Sequence, residues 1–304
     1  MKTNLEVKIC GIKMKNPIMV ASGTFGYGKE MSEFFDLDVL GAVVVKTVTL
    51  KQREGNQQPR IVETPSGMLN SIGLENKGVD NFINEQLPFY NNYKVPLIVN
   101  IAGNTIDEYV ELAKKLNNFK RIDALELNVS CPNVKKGGIQ IGIDPKSLSD
   151  LIRKVKKTAR IPVIVKLTPN VTNIVDIALC AQKAGADALS LINTIRGMAV
   201  DIDLKKPKLS TISGGLSGPA IKPVALYHVY ETAKAVKIPV IGIGGIMNYK
   251  DALEFLMAGA NAVQVGTANF IDPLTAVKII KDIQKYIKDN NIFSINSIIK
   301  SVKA

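Results

Sequence analysis

The sequence contains no tryptophan, one histidine and three cysteines, and only 6% of its 304 residues are aromatic. Each scarcity excludes something. Cys10, Cys131 and Cys180 lie far apart, with no CxxC pair and no metal-ligand spacing, so neither a disulfide framework nor a metal site is expected. An iron–sulfur cluster within this chain is excluded too, because the common clusters take about four cysteine-type ligands. Scattered cysteines of this kind suit a reducing, cytoplasmic compartment. The lone His228 falls inside the helical stretch LYHVYETAKAV, far from any strand end, and is expected to be structural. A reaction that needs a general base near neutral pH must therefore find it elsewhere.

Long hydrophobic runs are missing as well. LGAVVV and IPVIV are too short to span a bilayer, and MKTNLEVKIC has no signal-peptide core, so a soluble chain without a membrane partner is expected. Acidic residues are in deficit: 39 Lys and Arg against 27 Asp and Glu give a net charge of +12. The excess is spread as single or paired lysines at helical spacing (RKVKK, KIIKDIQK), with no Arg-rich arm and no basic stripe interleaved with aromatics. That pattern describes solvated helix faces, not a nucleic-acid surface. The positive field would still gather a small anion.

What the sequence does contain is alternation. Short apolar, β-branched runs occur at 18–21, 42–45, 97–101, 124–129, 162–167, 188–192, 239–243 and 262–265. Amphipathic segments such as TIDEYVELAKKL, DPKSLSDLIRKVKKTA and NYKDALEFLMAGA lie between them, and Gly185 and Gly259 stand where helix-ending glycines belong. Eight strands alternating with helices over roughly 250 residues predict a single (β/α)8 TIM barrel, with a doubly wound sheet as the rival. The count and the likeness of KAGADALSLIN to MAGANAVQVG favour the barrel. No linker interrupts the chain, so one domain over 1–304 is expected, with KIIKDIQKYIKDNN and SINSIIKSVKA as closing helices.

Active sites of such barrels lie at the C-terminal ends of the strands. The eight runs end at or near Ser22, Lys46, Asn100, Asn128, Lys166, Asn193 with Thr194, Gly244 with Gly245, and Gly266 with Thr267. Any one of these can be a cap or turn residue; the convergence of the whole set points to a ligand. Glycines after the last two strands let backbone approach an anion, and those loops are the usual phosphate site of the fold. SGTFGYG is ordered GxxGxG and does not match a dinucleotide fingerprint, so no nicotinamide site is expected here. Lys46 and Lys166 would be buried cations needing anionic partners: either Glu126, two residues before Asn128, or a ligand. Cys131 opens the loop after the fourth strand in LNVSCPNVKKGG. A thiol with pKa near 8.5, lowered by Lys135 or Lys136, is the next candidate base after histidine. The glycines of KKGGIQIG would let that loop close as a lid. Cys10 and Cys180 are expected to be buried packing.

These residues carry a resemblance. NPIMVASGTFGYG, VKTVT, GMLNSIGLEN, ELNVSCPNVKKGG, VKLTPNVT, INT, GGLSGPAIKP, IGIGGI and VGTANF occur in order over nearly the whole chain. Together they resemble class 1 dihydroorotate dehydrogenases and, in the ASGTFGYG form, the NAD-linked 1B catalytic subunits. The resemblance implies FMN at the top of a barrel, one per chain, and oxidation of dihydroorotate to orotate in pyrimidine synthesis. It implies FMN contacts at Ser22, Lys46, Thr47, Asn100, Asn128, Lys166, Ile192, Gly218, Gly244, Gly245, Gly266 and Thr267. Lys46, Asn70, Ser71, Ile72, Gly73, Leu74, Asn128, Asn193 and Thr194 would hold the substrate, with Cys131 as the base and Lys46 and Lys166 beside the reacting groups.

It also implies a partner subunit carrying FAD and a [2Fe–2S] cluster, in a heterotetramer of two catalytic and two electron-transfer subunits. Three rivals make different predictions. A 1A-type enzyme would reduce fumarate without a partner. A lyase using a Lys166 Schiff base would be colourless. A non-catalytic barrel would have no need of Lys46, Asn128, Cys131 and Lys166 on one rim.

Overall fold

The structure is a computed structural model, and it describes residues 3–130 and 141–303. Eight parallel strands close a barrel in chain order: β1 Ile18–Val20, β2 Ala42–Val48, β3 Leu97–Ile101, β4 Ala124–Asn128, β5 Val163–Lys166, β6 Ala188–Leu191, β7 Val240–Ile243 and β8 Ala262–Val265. Nearly every strand residue is buried, as expected where helices cover one face of a sheet and the other faces the barrel interior.

The outer layer is formed by α1 Ile106–Leu116, α2 Pro145–Thr158, α3 Ile174–Lys183, α4 Lys222–Ala235, α5 Tyr249–Met257 and α6 Thr275–Asp289. Their starts carry side-chain caps where the sequence supplies them. Thr105, Asp144 and Asn173 each accept a backbone N–H of the first turn, and Asn248 with Asp251 forms a capping box. Gly185 (φ +102°) and Gly259 (φ +114°) end α3 and α5 in the left-handed region that a side chain disfavours.

One device recurs at the N-terminal ends of the strands. The residues before β4, β6 and β8 are Asp123, Asp187 and Asn261. Each donates its backbone N–H to the first carbonyl of the preceding strand (Leu97, Val163, Val240). Each side chain accepts the N–H of that same residue, at 2.8, 2.7 and 3.0 Å. Before β2 the same backbone bond runs from Gly41 to Ile18. A Cβ at Gly41 would stand 2.1 Å from the Asn16 carbonyl, so Asn16 caps Ile18 instead, at 3.0 Å. The likeness of KAGADALS and MAGANAVQ is this repeated unit seen in sequence.

Other elements depart from simple alternation. A four-stranded antiparallel sheet, in the order Ile195–Gly197, Gly214–Ser217, Gly67–Asn70, Ile61–Thr64, links the excursion after β2 to the one after β6. The hairpin Val7–Ile9/Ile12–Met14 turns at Cys10 (φ +51°) and Gly11, with Cys10 near Asp187 at the start of β6. Cys10 and Cys180 are half-buried rather than enclosed.

The expected closing helix over SINSIIKSVKA is only a short 3₁₀ turn at Ile295–Ser297. Its backbone donors go elsewhere: Ile295 N–H to the Asn4 carbonyl, Lys300 N–H to Leu256 and Val302 N–H to Met257. The last residues bond carbonyls at the end of α5 in place of building a helix of their own.

Candidate active site

A cavity of about 450 Å³ opens at the C-terminal end of the barrel, between the strand ends and the four-stranded sheet. Its size lies in the range of small-molecule sites, about 300–1,000 Å³. Ser22, Lys46, Thr47, Asn70, Ile72, Leu74, Asn128, Lys166, Ile192, Asn193, Thr194, Gly218, Gly244, Gly245, Gly266 and Thr267 all line it. Asn100, Ser71 and Gly73 do not. Asn100 is fully buried one layer below, where its Oδ1 accepts from Thr47 Oγ1 at 2.6 Å. The Ser71 hydroxyl bonds Asn56 and Thr211 behind the wall. Gly73 (φ +75°) forms the turn that leaves Leu74 in a left-handed conformation (φ +58°) at the cavity. Cys131, with Lys135 and Lys136, lies outside the described residues.

Lys46 and Thr47 are neighbours on β2, and strict strand alternation would put them on opposite faces. Both line the cavity because the pairing of β2 with β3 shifts register between Val45 and Val48. The irregularity acts as a bulge does, re-aiming a side chain next to a site. The Lys46 N–H bonds the Gly26 carbonyl at 2.8 Å, tying the bulge to the loop after β1.

The amides form one cluster. Asn193 Nδ2 donates to Asn128 Oδ1 (3.2 Å) and to Ser130 Oγ (2.9 Å), while Asn193 Oδ1 accepts the Thr194 N–H (2.8 Å). Among the described residues, neither Lys46 nor Lys166 donates a side-chain hydrogen bond. Lys166, 6% exposed, has one carboxylate nearby: Glu126, with Nζ and Oε1 4.0 Å apart. Both alternatives raised for the lysines are therefore present together, a structural counter-charge below Lys166 and an open cavity above it. His228 lies on α4, half-buried beside Tyr227, and burial depresses its pKa, which keeps it neutral.

Sequence reasoning missed the mouth. Ile61, Met68, Met247 and Phe270 give it an apolar rim, and Ser217 accepts a hydrogen bond from Thr267 Oγ1 at 2.8 Å. Ser217 sits inside GGLSGPAIKP, so the motif was visible; its position became visible only with the antiparallel sheet.

The dihydroorotate dehydrogenase family model matches residues 4–287. The chain belongs to the dihydroorotate dehydrogenase family. A relative from Thermoanaerobacter sp. (strain X514) is 56% identical over 300 residues, covering 99% of both chains. One from Geobacter sp. (strain M21) is 53% identical over 302 residues, again 99% of both. A third, from Caldicellulosiruptor saccharolyticus, is 51% identical over 299 residues, 98% of this chain and 99% of its own. All three bear the name dihydroorotate dehydrogenase B (NAD(+)), catalytic subunit. This full-length match agrees with the 1B form of dihydroorotate dehydrogenase that ASGTFGYG resembles. Among the described residues no helix is long and apolar enough to cross a membrane.

Proposed function

We propose that this chain, as a single domain over 1–304, oxidises dihydroorotate to orotate in pyrimidine biosynthesis, with FMN in the barrel mouth and NAD as the final acceptor. The observation that carries the reading is the gathering of Lys46, Lys166, Asn128 and Asn193 around one glycine-edged cavity in a chain whose relatives match over their full length.

The residues fit a flat, phosphate-bearing cofactor. A Cβ at Gly23 would meet no protein atom within 4 Å, and one at Gly266 would meet only Ala21 at 3.7 Å, so side chains there would fill the cavity itself. Gly244 (φ +133°) and Gly245 (φ +69°) hold backbone at the opposite edge in conformations that side chains disfavour. Those two glycines, with Gly266 and Thr267, would hold the phosphate. Ser22, Thr47, Asn128, Lys166, Ile192 and Gly218 would hold the rest, with Asn100 supporting Thr47 from below.

When bound, FMN supplies the acceptor for a hydride. The chain's own residues do the remainder. Cys131 as thiolate takes the proton from C5 of dihydroorotate, and the electron pair of that C–H bond becomes the C5–C6 double bond as hydride departs from C6. A cysteine serves because the one histidine is on an outer helix. Asn128 and Asn193 present paired donors and acceptors suited to the amide edges of a pyrimidine ring. Asn70, Ile72, Leu74 and Thr194 close around the substrate, with Ser71 and Gly73 shaping that loop. Lys46 binds substrate and cofactor, and Lys166 supplies fixed positive charge where negative charge develops.

Electrons leave through a second subunit carrying FAD and a [2Fe–2S] cluster, in a cytoplasmic heterotetramer of two catalytic and two electron-transfer subunits. Nucleic acid and membrane play no part. An absorption spectrum before and after anaerobic dihydroorotate tests the reading. A yellow protein whose flavin bands bleach supports it. A yellow protein that does not bleach removes the substrate, and a colourless one that cannot be reconstituted with FMN overturns the reading in favour of the Lys166 lyase. Turnover with fumarate alone would assign the acceptor to the 1A type instead.

A further inference from the structure

Beneath the cavity floor lies a carboxylate that the mechanism leaves unused. Glu126, on β4, is 0% exposed. Its Oε1 accepts from Asn100 Nδ2 at 2.7 Å, and its Oε2 accepts from Ser190 Oγ and Gln264 Nε2, both at 2.8 Å. Three neutral donors from three other strands meet on one group in the barrel centre. Two pocket-lining residues rest on it. Lys166 lies 4.0 Å away, and Thr47 is linked to it through Asn100.

The distance to Lys166 carries the argument. At 4.0 Å the ammonium and the carboxylate attract without sharing a hydrogen bond. The donors of Lys166 stay uncommitted among the described residues, while its charge is compensated from below. Burying an ammonium alone is costly, and burying a hydrogen-bonded carboxylate beside it offsets that cost. Had the two groups met at direct bonding distance, a Lys166 donor would be directed to Glu126 and away from the cavity.

We infer that Glu126 is the positioning residue of this site: the buried counter-charge that holds the Lys166 ammonium in place with its donors turned toward the cavity, and that offsets the positive field there. Among the described residues the charged side chains at the cavity are Lys46, Lys166 and Glu75, and Glu75 is paired with Arg60. Glu126 is thus the negative charge that acts on Lys166 from within the barrel. Its consequence for the cofactor rests on the flavin reading proposed above.

Glu126→Gln keeps the shape and deletes the charge. The barrel can accommodate it, because Gln264 Oε1 is a buried acceptor without a partner. A turn of the Gln264 amide would offer that oxygen to the new NH2 group. Gln264→Leu is the comparison, removing one hydrogen bond to Glu126 and no charge.

The first measurement is made on apoprotein: the rate at which an amine-selective acylating reagent labels Lys166 at pH 7, read by peptide mass spectrometry. Several-fold faster labelling is expected in Glu126→Gln and none in Gln264→Leu. The second is the reduction potential of bound FMN. Loss of the negative charge should favour the electron-rich reduced form by about tenfold, a rise of about 30 mV for a two-electron couple, in Glu126→Gln alone. Equal labelling rates, or equal shifts in both variants, would overturn the counter-charge role.

If Glu126→Gln does not fold, Glu126→Asp withdraws the carboxylate by one methylene and should move both readouts the same way by less; no movement there overturns the inference. A wild-type protein that takes up no FMN would sink the flavin reading, and the labelling comparison would still decide the role of Glu126.

Discussion

At the N-terminal end of the barrel, Asp123, Asp187 and Asn261 each accept a strand's first N–H and donate to its first carbonyl. At the C-terminal end, Lys46 and Lys166 reach the cavity with no hydrogen-bond acceptor among the described residues. Both ends are polar, so polarity alone does not mark the site. The difference is whether the polar group is satisfied by the protein. Groups that are satisfied hold the barrel in register. Groups left open are held for something that is not protein, and they are expensive enough to keep that their presence asks for a ligand.

The contrast predicts that rim substitutions cost activity at unchanged stability, and floor substitutions the reverse. The largest effect should come from Cys131→Ala. Loss of the general base should lower turnover at pH 7 by about 10²- to 10⁴-fold, with flavin content unaltered, measured as the rate of anaerobic bleaching by dihydroorotate. Normal turnover would remove Cys131 from the mechanism. Lys166→Met should lower the same rate by about 10²- to 10³-fold, the range for deleting one charge-stabilising group.

Gly245→Val acts on the cofactor. Its Cβ would stand 2.9 Å from the Gly218 carbonyl, in a backbone conformation (φ +69°) that side chains resist. Relieving that clash shifts the loop off its phosphate-holding position, and restoring the position on FMN binding at a cost of about 1–3 kcal/mol should weaken affinity by roughly tenfold to a hundredfold. Titration of apoprotein with FMN would show it, and unchanged affinity would move the phosphate away from this loop.

The floor supplies the opposite outcome. Asp187 accepts the Val163 N–H and pairs with Lys156 at 2.5 Å. Asp187→Ala should cost about 1.5–3 kcal/mol of stability, the range for a hydrogen bond to a charged group, and leave turnover per folded molecule unchanged. A variant that lost turnover at full stability would break the division between the two ends.

The same division explains what could be read from sequence. All eight strands fall within the apolar runs or extend them by a few residues at most, because burial on both faces leaves a continuous β-branched signature. The rim residues at the strand ends followed from the strands, while Thr47, Asn70, Ile72, Leu74 and Gly218 came only with the family resemblance. The antiparallel sheet over the mouth was not legible: Gly67–Asn70 and Gly214–Ser217 are short, glycine-bearing and half-buried, with no period to detect. Nor was the β2 bulge, since AVVVKTV reads as one uninterrupted strand and only the partner strand shows the register shift. Asn100 stands near a strand end, which predicts a rim position, but its side chain faces the barrel interior one layer down. SINSIIKSV has the spacing of a helix, but the α5 carbonyls that its backbone bonds lie some forty residues away in sequence.

Cys10 extends the comparison to a thiol. Cys10, in the hairpin turn beside Asp187, is pushed from 9.0 up to about 12 by burial, reinforced by the Asp187 carboxylate and partly opposed by Lys156. Held neutral in the folded state, it should resist iodoacetamide at pH 8, where the unfolded chain reacts. Its stability effect has a definite sign. Below pH 9.0 the thiol is protonated whether folded or not and contributes no pH dependence. Above that, the unfolded thiol ionises while the folded one cannot, so stability is lost as pH rises toward about 12. Between pH 8 and pH 10, wild type should lose about 1 kcal/mol relative to Cys10→Ala, from a pKa difference acting over roughly one unit. Denaturant melts of both proteins at the two pH values isolate this from Tyr27, whose phenol is also raised by burial and titrates in both. A Cys10 that alkylates readily in the native protein would mean that this end of the barrel leaves a titratable group open to solvent, and satisfaction by the protein would no longer set it apart.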